Sequence, residues 1–161
     1  MPGVAAPPDL FTQTVVKAEM ERKECALDPW YAISRGWVMT QDEKPPEGKP
    51  AIRPLEPHEY LRALCELWKQ CPKGLLGKSR QMRASWLFAW LQLWDCIFHS
   101  GRHAIIQGKR LEDVHAGNPH AILGRARFIR QHLPAILQPQ VVSENTTSET
   151  YKNGSTLEAI P

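Results

Sequence analysis

One helix that is apolar on nearly every side constrains this chain more than any other feature of its sequence. The segment 84–100 has helical character, and almost every residue from Trp86 to Phe98 is apolar. Trp86, Trp90 and Trp94 recur every four residues and therefore share one face of the helix. Such a helix must be surrounded by other elements. A chain of 161 residues, of which 42% are hydrophobic, can supply them within one domain. We interpret the tryptophans as core residues.

The segments around this helix predict an α/β fold. Apolar residues at helical spacing predict one helix over 57–71 and another over 119–133. Asn153-Gly154 is the strongest hairpin-turn signal in the chain. The predicted strands are short apolar runs at 74–78, 103–107 and 155–160. Strands and helices that alternate in this order indicate a mainly parallel sheet with flanking helices.

Two other segments are predicted to contribute little regular structure. Nine of the fourteen prolines precede residue 58, and we interpret residues 1–50 as an N-terminal arm with little core of its own. Within the arm, residues 28–33 are expected to form a short helical turn that docks by its aromatic side chains. Residues 51–161 are then the folded domain. Inside it, 138–152 is polar and predicts a loop, in which strand pairing is expected only near Val141.

The distribution of charge indicates an anionic partner. The net charge is only +3, but between residues 73 and 130 there are ten Lys and Arg against three acids. A basic segment of this kind favours a nucleotide phosphate or a nucleic acid, with a solvated basic surface as the alternative. Cys65 and Cys96 are interpreted as small core residues. No Cys or His spacing indicates zinc, and no apolar run is long enough to predict a membrane span.

The loop in front of the apolar helix is the candidate ligand site. Residues 77–86 read GKSRQMRASW, between a predicted strand and a predicted helix, where α/β folds bind anions on free backbone N–H groups. A literal Walker A motif fails, because Pro72 stands where the motif needs its first glycine. The apolar periodicity begins about six residues after Ser79, so Ser85 is the better candidate for a hydroxyl on Mg²⁺, with a helix N-cap as its alternative role. Lys78 would reach the phosphates from the front of the loop.

The string from Lys78 to Leu87 (KSRQMRASWL) resembles the variant Walker A of the large terminase subunit. Terminase is the ATP-driven DNA-packaging motor of tailed bacteriophages and prophages. Three later segments resemble the same family in the same order, as its second strand and turn, its next helix, and its Asn-Gly-Ser strand: 103–114, 126–134 and 152–161. Together the resemblance spans residues 50–161, and the ordered set is more specific than any one segment.

The resemblance implies an incomplete P-loop ATPase fold of the ASCE type that binds ATP and Mg²⁺. The residues implied to bind the nucleotide are Lys78, Ser79, Arg80, Gln81, Met82, Arg83, Ala84 and Ser85. Lys78 takes the catalytic, phosphate-contacting role, and Ser85 supplies the hydroxyl on the Mg²⁺ side. Arg80 and Gln81 match the family's Arg-Gln pair, and Arg83 stands where many members have glycine.

Two basic residues are candidate DNA contacts. Lys109 and Arg110 follow the second strand of the resemblance, and a solvated surface is their alternative role. The partners that the family implies are ATP, double-stranded viral DNA, the small terminase subunit and the portal protein. The expected location is the cytoplasm of the bacterial host.

The acids of ATP hydrolysis are missing from the sequence. Hydrolysis in this class needs an apolar strand that ends in Asp, usually followed by Glu, and no such run occurs. In the family this Walker B strand and the nuclease domain follow the Asn-Gly-Ser strand. We therefore expect the N-terminal part of a terminase large subunit, truncated before Walker B and without ATP turnover alone. The alternatives are a non-catalytic remnant that binds DNA or the small subunit, and a fragment of another P-loop ATPase such as a helicase.

Overall fold

The apolar helix Ala84–Phe98 is the element around which the rest of the described chain packs. The computed structural model describes residues 10–42, 45, 47–48, 50–71, 76–77 and 82–161. Its elements in chain order are α1 (Leu10–Leu27), α2 (Pro29–Ser34), β1 (Met39–Gln41), β2 (Ile52–Pro54), α3 (Glu59–Gln70), α4 (Ala84–Phe98), β3 (His103–Gln107), α5 (Ile122–His132), β4 (Val141–Glu144), β5 (Ser148–Tyr151) and β6 (Thr156–Ile160). A short 3-10 turn, Leu111–Asp113, lies between β3 and α5.

The burial predicted for α4 is confirmed. Ten of its fifteen residues are buried, including all three tryptophans. The indole N–H of Trp90 donates to the carbonyl of Pro29 at 2.9 Å, and that of Trp94 donates to the carbonyl of Cys25 at 2.6 Å. Each indole therefore keeps a hydrogen-bond partner inside the core, as buried tryptophans usually do. Both acceptors belong to the N-terminal segment.

Part of the segment interpreted as an arm is built into the core. The short helical turn expected at 28–33 is observed as α2, and its N-cap Asp28 accepts a hydrogen bond from a backbone N–H two residues later. Cys25, Ala32 and Ile33 are almost completely buried in the same hydrophobic cluster as α4. Burial raises the pKa of the Cys25 thiol to about 12, so this thiol behaves as a small apolar group.

The main sheet is mixed, and the expectation of a mainly parallel sheet is wrong. Its strand order is β3-β6-β5-β4, with β3 parallel to β6 and the other two pairs antiparallel. The α/β class is confirmed, and the strands predicted at 103–107 and 155–160 are observed as β3 and β6, which pair in parallel. The difference arises in 138–152, which was predicted as a loop with strand pairing only near Val141. Strand β4 begins at Val141 as expected, but it extends to Glu144 and is followed by the unpredicted β5. In β5 the inward-facing residues are Glu149 and Tyr151, and the buried acid hid the alternation from a hydrophobic pattern.

The remaining predicted elements have mixed outcomes. The helices predicted over 57–71 and 119–133 are confirmed as α3 and α5, within a few residues at each end. Cys65 and Cys96, interpreted as core residues, are both fully buried. Of the predicted strand 74–78, only residues 76–77 are described, and they lie in no strand. β1 and β2 form a separate antiparallel ribbon.

The Asn153-Gly154 turn is confirmed as the hairpin between β5 and β6, and it also ends α4. Gly154 has φ +80°, a left-handed conformation that favours glycine. The side-chain amide of Asn153 donates to the carbonyls of Cys96 (2.8 Å) and Ile97 (3.3 Å). The Ser155 hydroxyl donates to the carbonyl of His99 at 2.7 Å. The hairpin therefore satisfies carbonyl groups that the end of a helix leaves without intrahelical partners.

Asn153→Ala should lower the free energy of unfolding by about 1–2 kcal/mol, because part-buried carbonyls at the end of α4 lose their donor. Urea unfolding followed by far-UV circular dichroism measures the change. Lys152→Ala is the matched control, since Lys152 is the exposed neighbour in the same turn. Equal stabilities of the two variants would show that Asn153 does not hold α4.

A carboxylate buried between two guanidinium groups holds α5 on the sheet. Glu149 is fully buried and lies 2.6 Å from Nε of Arg127 and 3.2 Å from Nε of Arg130. The hydroxyl of Tyr151 donates to Glu149 at 2.6 Å. Burial and the adjacent Glu149 carboxylate raise the pKa of Tyr151, which keeps that hydroxyl protonated. Glu144, at the exposed end of the cluster, accepts from Arg130 at 2.7 Å.

Glu149→Gln should destabilise the fold by about 3–5 kcal/mol, because two partly buried guanidinium groups lose their shared carboxylate. Glu144→Gln is the control, since its side chain is more exposed and should contribute less than about 1 kcal/mol. Chemical denaturation of both variants gives the comparison. Similar losses in the two variants would mean that the buried pair is not the main anchor of α5.

Candidate functional site

Of the predicted phosphate loop, the structure describes Gly77 and the residues from Met82 onward. Lys78, Ser79, Arg80 and Gln81 lie outside the described residues. The site can therefore be built from its C-terminal half, from the first turn of α4, and from the elements that contact them.

The N-terminus of α4 points toward the edge of the sheet at which the parallel strands end. Asn153 holds the C-terminus of α4 beside the start of β6, and residues 99–102 join it directly to the start of β3. The helix packs against both strands. The first turn of α4 therefore lies toward the carboxyl ends of β3 and β6, the side on which α/β folds bind ligands.

Arg83 starts α4 in a conformation that favours glycine. Its φ is +50° and its ψ +12°, and it is the only non-glycine with positive φ among the residues that the structure describes. A left-handed backbone is unfavourable by roughly 1–2 kcal/mol for a residue with a Cβ. Its carbonyl accepts from the N–H groups of Trp86 and Leu87 at 3.0 and 3.1 Å. Since Arg83 is the N-cap, the N-cap role considered for Ser85 is wrong: Ser85 is the second residue of the helix.

The Arg83 side chain leaves the loop and binds β1 and the residue after it. Its Nη1 donates to the Thr40 hydroxyl at 3.0 Å and its Nη2 to Oδ2 of Asp42 at 2.7 Å. The same Asp42 oxygen accepts from Nε and Nη2 of Arg53 at 3.1 and 3.0 Å. Thr40 is fully buried and donates to the carbonyl of Arg53 at 3.1 Å. The resemblance implies that Arg83 binds nucleotide, but its guanidinium is engaged by the β1–β2 ribbon.

The ionisation of Asp42 is set by this environment. Partial burial alone raises the pKa of the Asp42 carboxyl, but the hydrogen bonds and positive charges of Arg83 and Arg53 outweigh it. The pKa therefore lies below its ordinary range, and Asp42 is an anion at neutral pH. Two arginines thus share one carboxylate next to the start of α4.

Helix α3 also contacts the end of the loop. The hydroxyl of Tyr60 donates to the carbonyl of Met82 at 3.2 Å, and the ring of His58 stacks on Tyr60 with centroids 5.3 Å apart. Tyr60 is one of the apolar residues whose helical spacing predicted the helix over 57–71, yet its exposed fraction is 37%. Neither this contact nor that of Asp42 was predicted. An acid in a polar loop and a tyrosine in an apolar stripe give no distinguishing signal.

Lys109 and Arg110, the candidate DNA contacts, lie on the same edge of the sheet. They follow the carboxyl end of β3, where the N–H of Gly108 donates to the carbonyl of Ile160 at 3.2 Å. Both side chains are exposed. Arg110 forms an ion pair with Glu112 at 3.0 Å, so its charge is partly compensated by its own turn.

Of the metal sites that proteins form, the residues that the structure describes near this edge suit only a Mg²⁺ ion that is bound together with nucleotide phosphates. Among the described residues, no group of three or more His, Cys, Asp or Glu side chains could hold a metal. Mg²⁺ that accompanies nucleotide phosphates needs only one or two protein oxygens and keeps several waters. The hydroxyl oxygen of Ser85, in the first turn of α4, is a ligand of that type.

Comparison with known proteins adds no family: no family model matches the chain, and no curated protein matches it. No helix within the described residues combines the length and the apolar character that crossing a membrane requires.

Asp42→Asn should lower the free energy of unfolding by about 1–3 kcal/mol at pH 7, because two partly buried guanidinium groups lose a charged acceptor. The folded pKa of Asp42 is below the unfolded value, so its stabilisation is complete above the unfolded pKa and disappears as pH falls through the folded one. The difference from the wild type should be constant from about pH 7 to 5 and shrink below about pH 4.

Urea titrations at a series of pH values measure this difference. Asp113→Asn is the control, since Asp113 is exposed and should show little difference at any of these pH values. A gap for Asp42→Asn that stays constant down to pH 3 would contradict the ionic origin of the stabilisation.

Proposed function

We propose that this chain is the nucleotide-binding N-terminal part of a phage terminase large subunit, the ATP-driven motor that packages viral DNA into capsids. The observation that carries the proposal is the left-handed Arg83 at the start of α4. It lies at the position where the family resemblance has glycine, at the end of a loop rich in basic residues.

The position of α4 in the fold supports this proposal. The helix packs against the parallel pair β3–β6, and its first turn lies toward the carboxyl ends of these strands. A helix N-terminus presents free N–H groups and the positive end of its dipole, which attract phosphate. Ser85 in that turn would supply a hydroxyl to Mg²⁺, and the metal would neutralise charge on the β- and γ-phosphates. Ser85 is half-buried, so it lies at the boundary between the core and the edge of the sheet.

The loop residues complete the proposed site. Lys78 would place a mobile positive charge on the phosphates, and Arg80 and Gln81 would line the loop with it. Ser79, Met82 and Ala84 contribute backbone rather than side-chain chemistry in this proposal. The chain binds ATP without turning it over, because the sequence has no apolar strand that ends in the Asp-Glu pair of hydrolysis.

The wider assembly forms part of the proposal. Double-stranded DNA would meet the basic edge that includes Lys109 and Arg110, and the small terminase subunit and the portal protein would be the protein partners. The motor would act in the cytoplasm of the bacterial host. A DNA affinity that falls steeply with salt is the behaviour expected of phosphate contacts.

Isothermal titration calorimetry with Mg·ADP and Mg·ATP tests the nucleotide site on the full 161-residue chain. The wild type should bind both nucleotides. Lys78→Ala should bind at least roughly tenfold more weakly, equivalent to ~1.4 kcal/mol of binding free energy. The reason is the loss of the charge that faces the phosphates.

Lys152→Ala is the matched control, because it removes an exposed lysine at the opposite end of α4. It should bind nucleotide as the wild type does. A wild type that binds no nucleotide, or a Lys78→Ala variant that binds as well as the wild type, would contradict the nucleotide site. The remnant that binds only DNA or the small subunit would then be the better account.

A further inference from the structure

The first half of α1 extends away from the body of the protein. Of the eight residues 13–20, seven are exposed and Ala18 is half-buried. The second half attaches the helix to the body. The Arg22 guanidinium donates to the carbonyl of Ile136 at 2.9 Å, and Cys25 is fully buried. Because a helix of a few turns is only marginally stable in water without tertiary packing, a partner along α1 would stabilise its first half.

The exposed side of α1 carries a stripe of residues with coiled-coil spacing. Val16, Met20 and Leu27 are 52%, 61% and 73% exposed. Together with Lys23 they form the α1 stripe, whose members are separated by four, three and four residues, as the a and d positions of a heptad are. The aliphatic part of a lysine side chain covers apolar surface while its charge stays in water.

The α1 stripe faces away from the body. Cys25 follows Val16 by nine residues, which is about two and a half turns of an α-helix. The buried thiol and the start of the stripe therefore lie on opposite sides of α1. A second helix can approach the stripe from the solvent side.

The charges beside the α1 stripe distinguish two ways of pairing with an identical helix. When the stripe is numbered d, a, d, a, Lys17 and Glu24 occupy e positions and Glu19 a g position, and all three are exposed. In a parallel pair, Glu19 would face Glu24 of the second copy, since g positions face the e positions five residues later. In an antiparallel pair e positions face each other, so Lys17 meets Glu24 of the second copy, twice by two-fold symmetry.

We propose that the α1 stripe is the interface of an antiparallel homodimer. Val16 packs against Leu27 of the second copy and Met20 against Lys23 of the second copy, and each contact occurs twice. The stripe is only about 17 Å long, which is short for an interface, so we expect a weak dimer that forms at roughly 10–100 μM. The inference is independent of the proposed nucleotide site.

Sedimentation velocity of the full 161-residue chain, over concentrations that span the expected dissociation constant, measures the association. The wild type should shift from monomer to dimer as its concentration rises. Val16→Glu should abolish the shift, because a carboxylate would then be buried in an apolar contact. Val15→Glu is the matched control: Val15 is 45% exposed but lies about 100° away around the helix, and this variant should dimerise as the wild type does.

Charge reversal tests the orientation of the two helices. In the antiparallel dimer Glu24→Lys creates two contacts between lysines and should weaken association several-fold, whereas in a parallel dimer it would relieve the repulsion with Glu19 and strengthen association. Lys17→Glu should weaken association by a similar factor. The double variant Lys17→Glu/Glu24→Lys reverses both ion pairs and should recover most of the wild-type association.

The outcomes separate the possible partners of α1. Loss of the dimer in Val16→Glu, together with recovery in the double reversal, supports the inference. Stronger association of Glu24→Lys overturns it in favour of a parallel dimer. A wild type that stays monomeric, or equal weakening by Val16→Glu and Val15→Glu, overturns it as well, and another protein would then be the better account of the exposed stripe. Far-UV circular dichroism of each variant checks that the compared proteins are folded.

Discussion

The hydrogen bonds from Trp90 and Trp94 to the N-terminal segment are the contacts on which the rest of the described structure depends. A helix as apolar as α4 must be covered, and its indole N–H groups must find acceptors inside the cover. The carbonyl of Cys25, which accepts from Trp94, belongs to the last turn of α1. Carbonyls there have no partner within their own helix, so one contact satisfies both the end of α1 and the buried indole.

This cover also brings β1 to its place. The chain runs from α2 directly into Val38, which is fully buried, and then into β1. The strand carries Thr40 to the start of α4, and Asp42 follows it. The N-terminal segment therefore contributes to the candidate site because it first covers the hydrophobic helix. The same N-terminal segment therefore covers the apolar side of α4 and supplies the acceptors for Arg83 at its N-terminus.

The parts of the fold that sequence could predict are those fixed by local chemistry. The periodicity of α4, the apolar run of β3 and the Asn153-Gly154 turn are all local, and all three were confirmed. Apart from the turn expected at 28–33, the N-terminal cover was missed, because its burial depends on acceptors 61 and 69 residues away from the indoles that use them. β5 was missed because Glu149 occupies a core position, which a hydrophobic pattern counts as surface. In the site, the loop before α4 was identified from residue types alone, whereas Asp42 is one of several acids in a polar stretch.

The basic excess of residues 73–130 also has a different meaning in three dimensions. Arg83, Arg127 and Arg130 each bind a buried or partly buried carboxylate of this chain. In both clusters one acid lies between two guanidinium groups. Three of the ten Lys and Arg that indicated an anionic partner are therefore structural. The attraction for phosphate in the proposed site therefore depends on fewer cations than the composition indicated. These are Lys78 and Arg80 of the loop and Lys109 and Arg110 of the turn after β3.

Because Asn153 binds the carbonyls at the C-terminus of α4, this helix end is completed only after residue 153 has left the ribosome. Asn153 lies 57 residues after Cys96, whose carbonyl it binds, and β3 pairs with β6 across a similar separation. Until the final strand has been synthesised, α4 has an open C-terminus and β3 has no parallel neighbour from this sheet. Non-local pairings of this kind form slowly, since a long loop must close before any contact is gained. Among the described helices α4 is the most hydrophobic, and until β6 has been synthesised it needs protection from other chains.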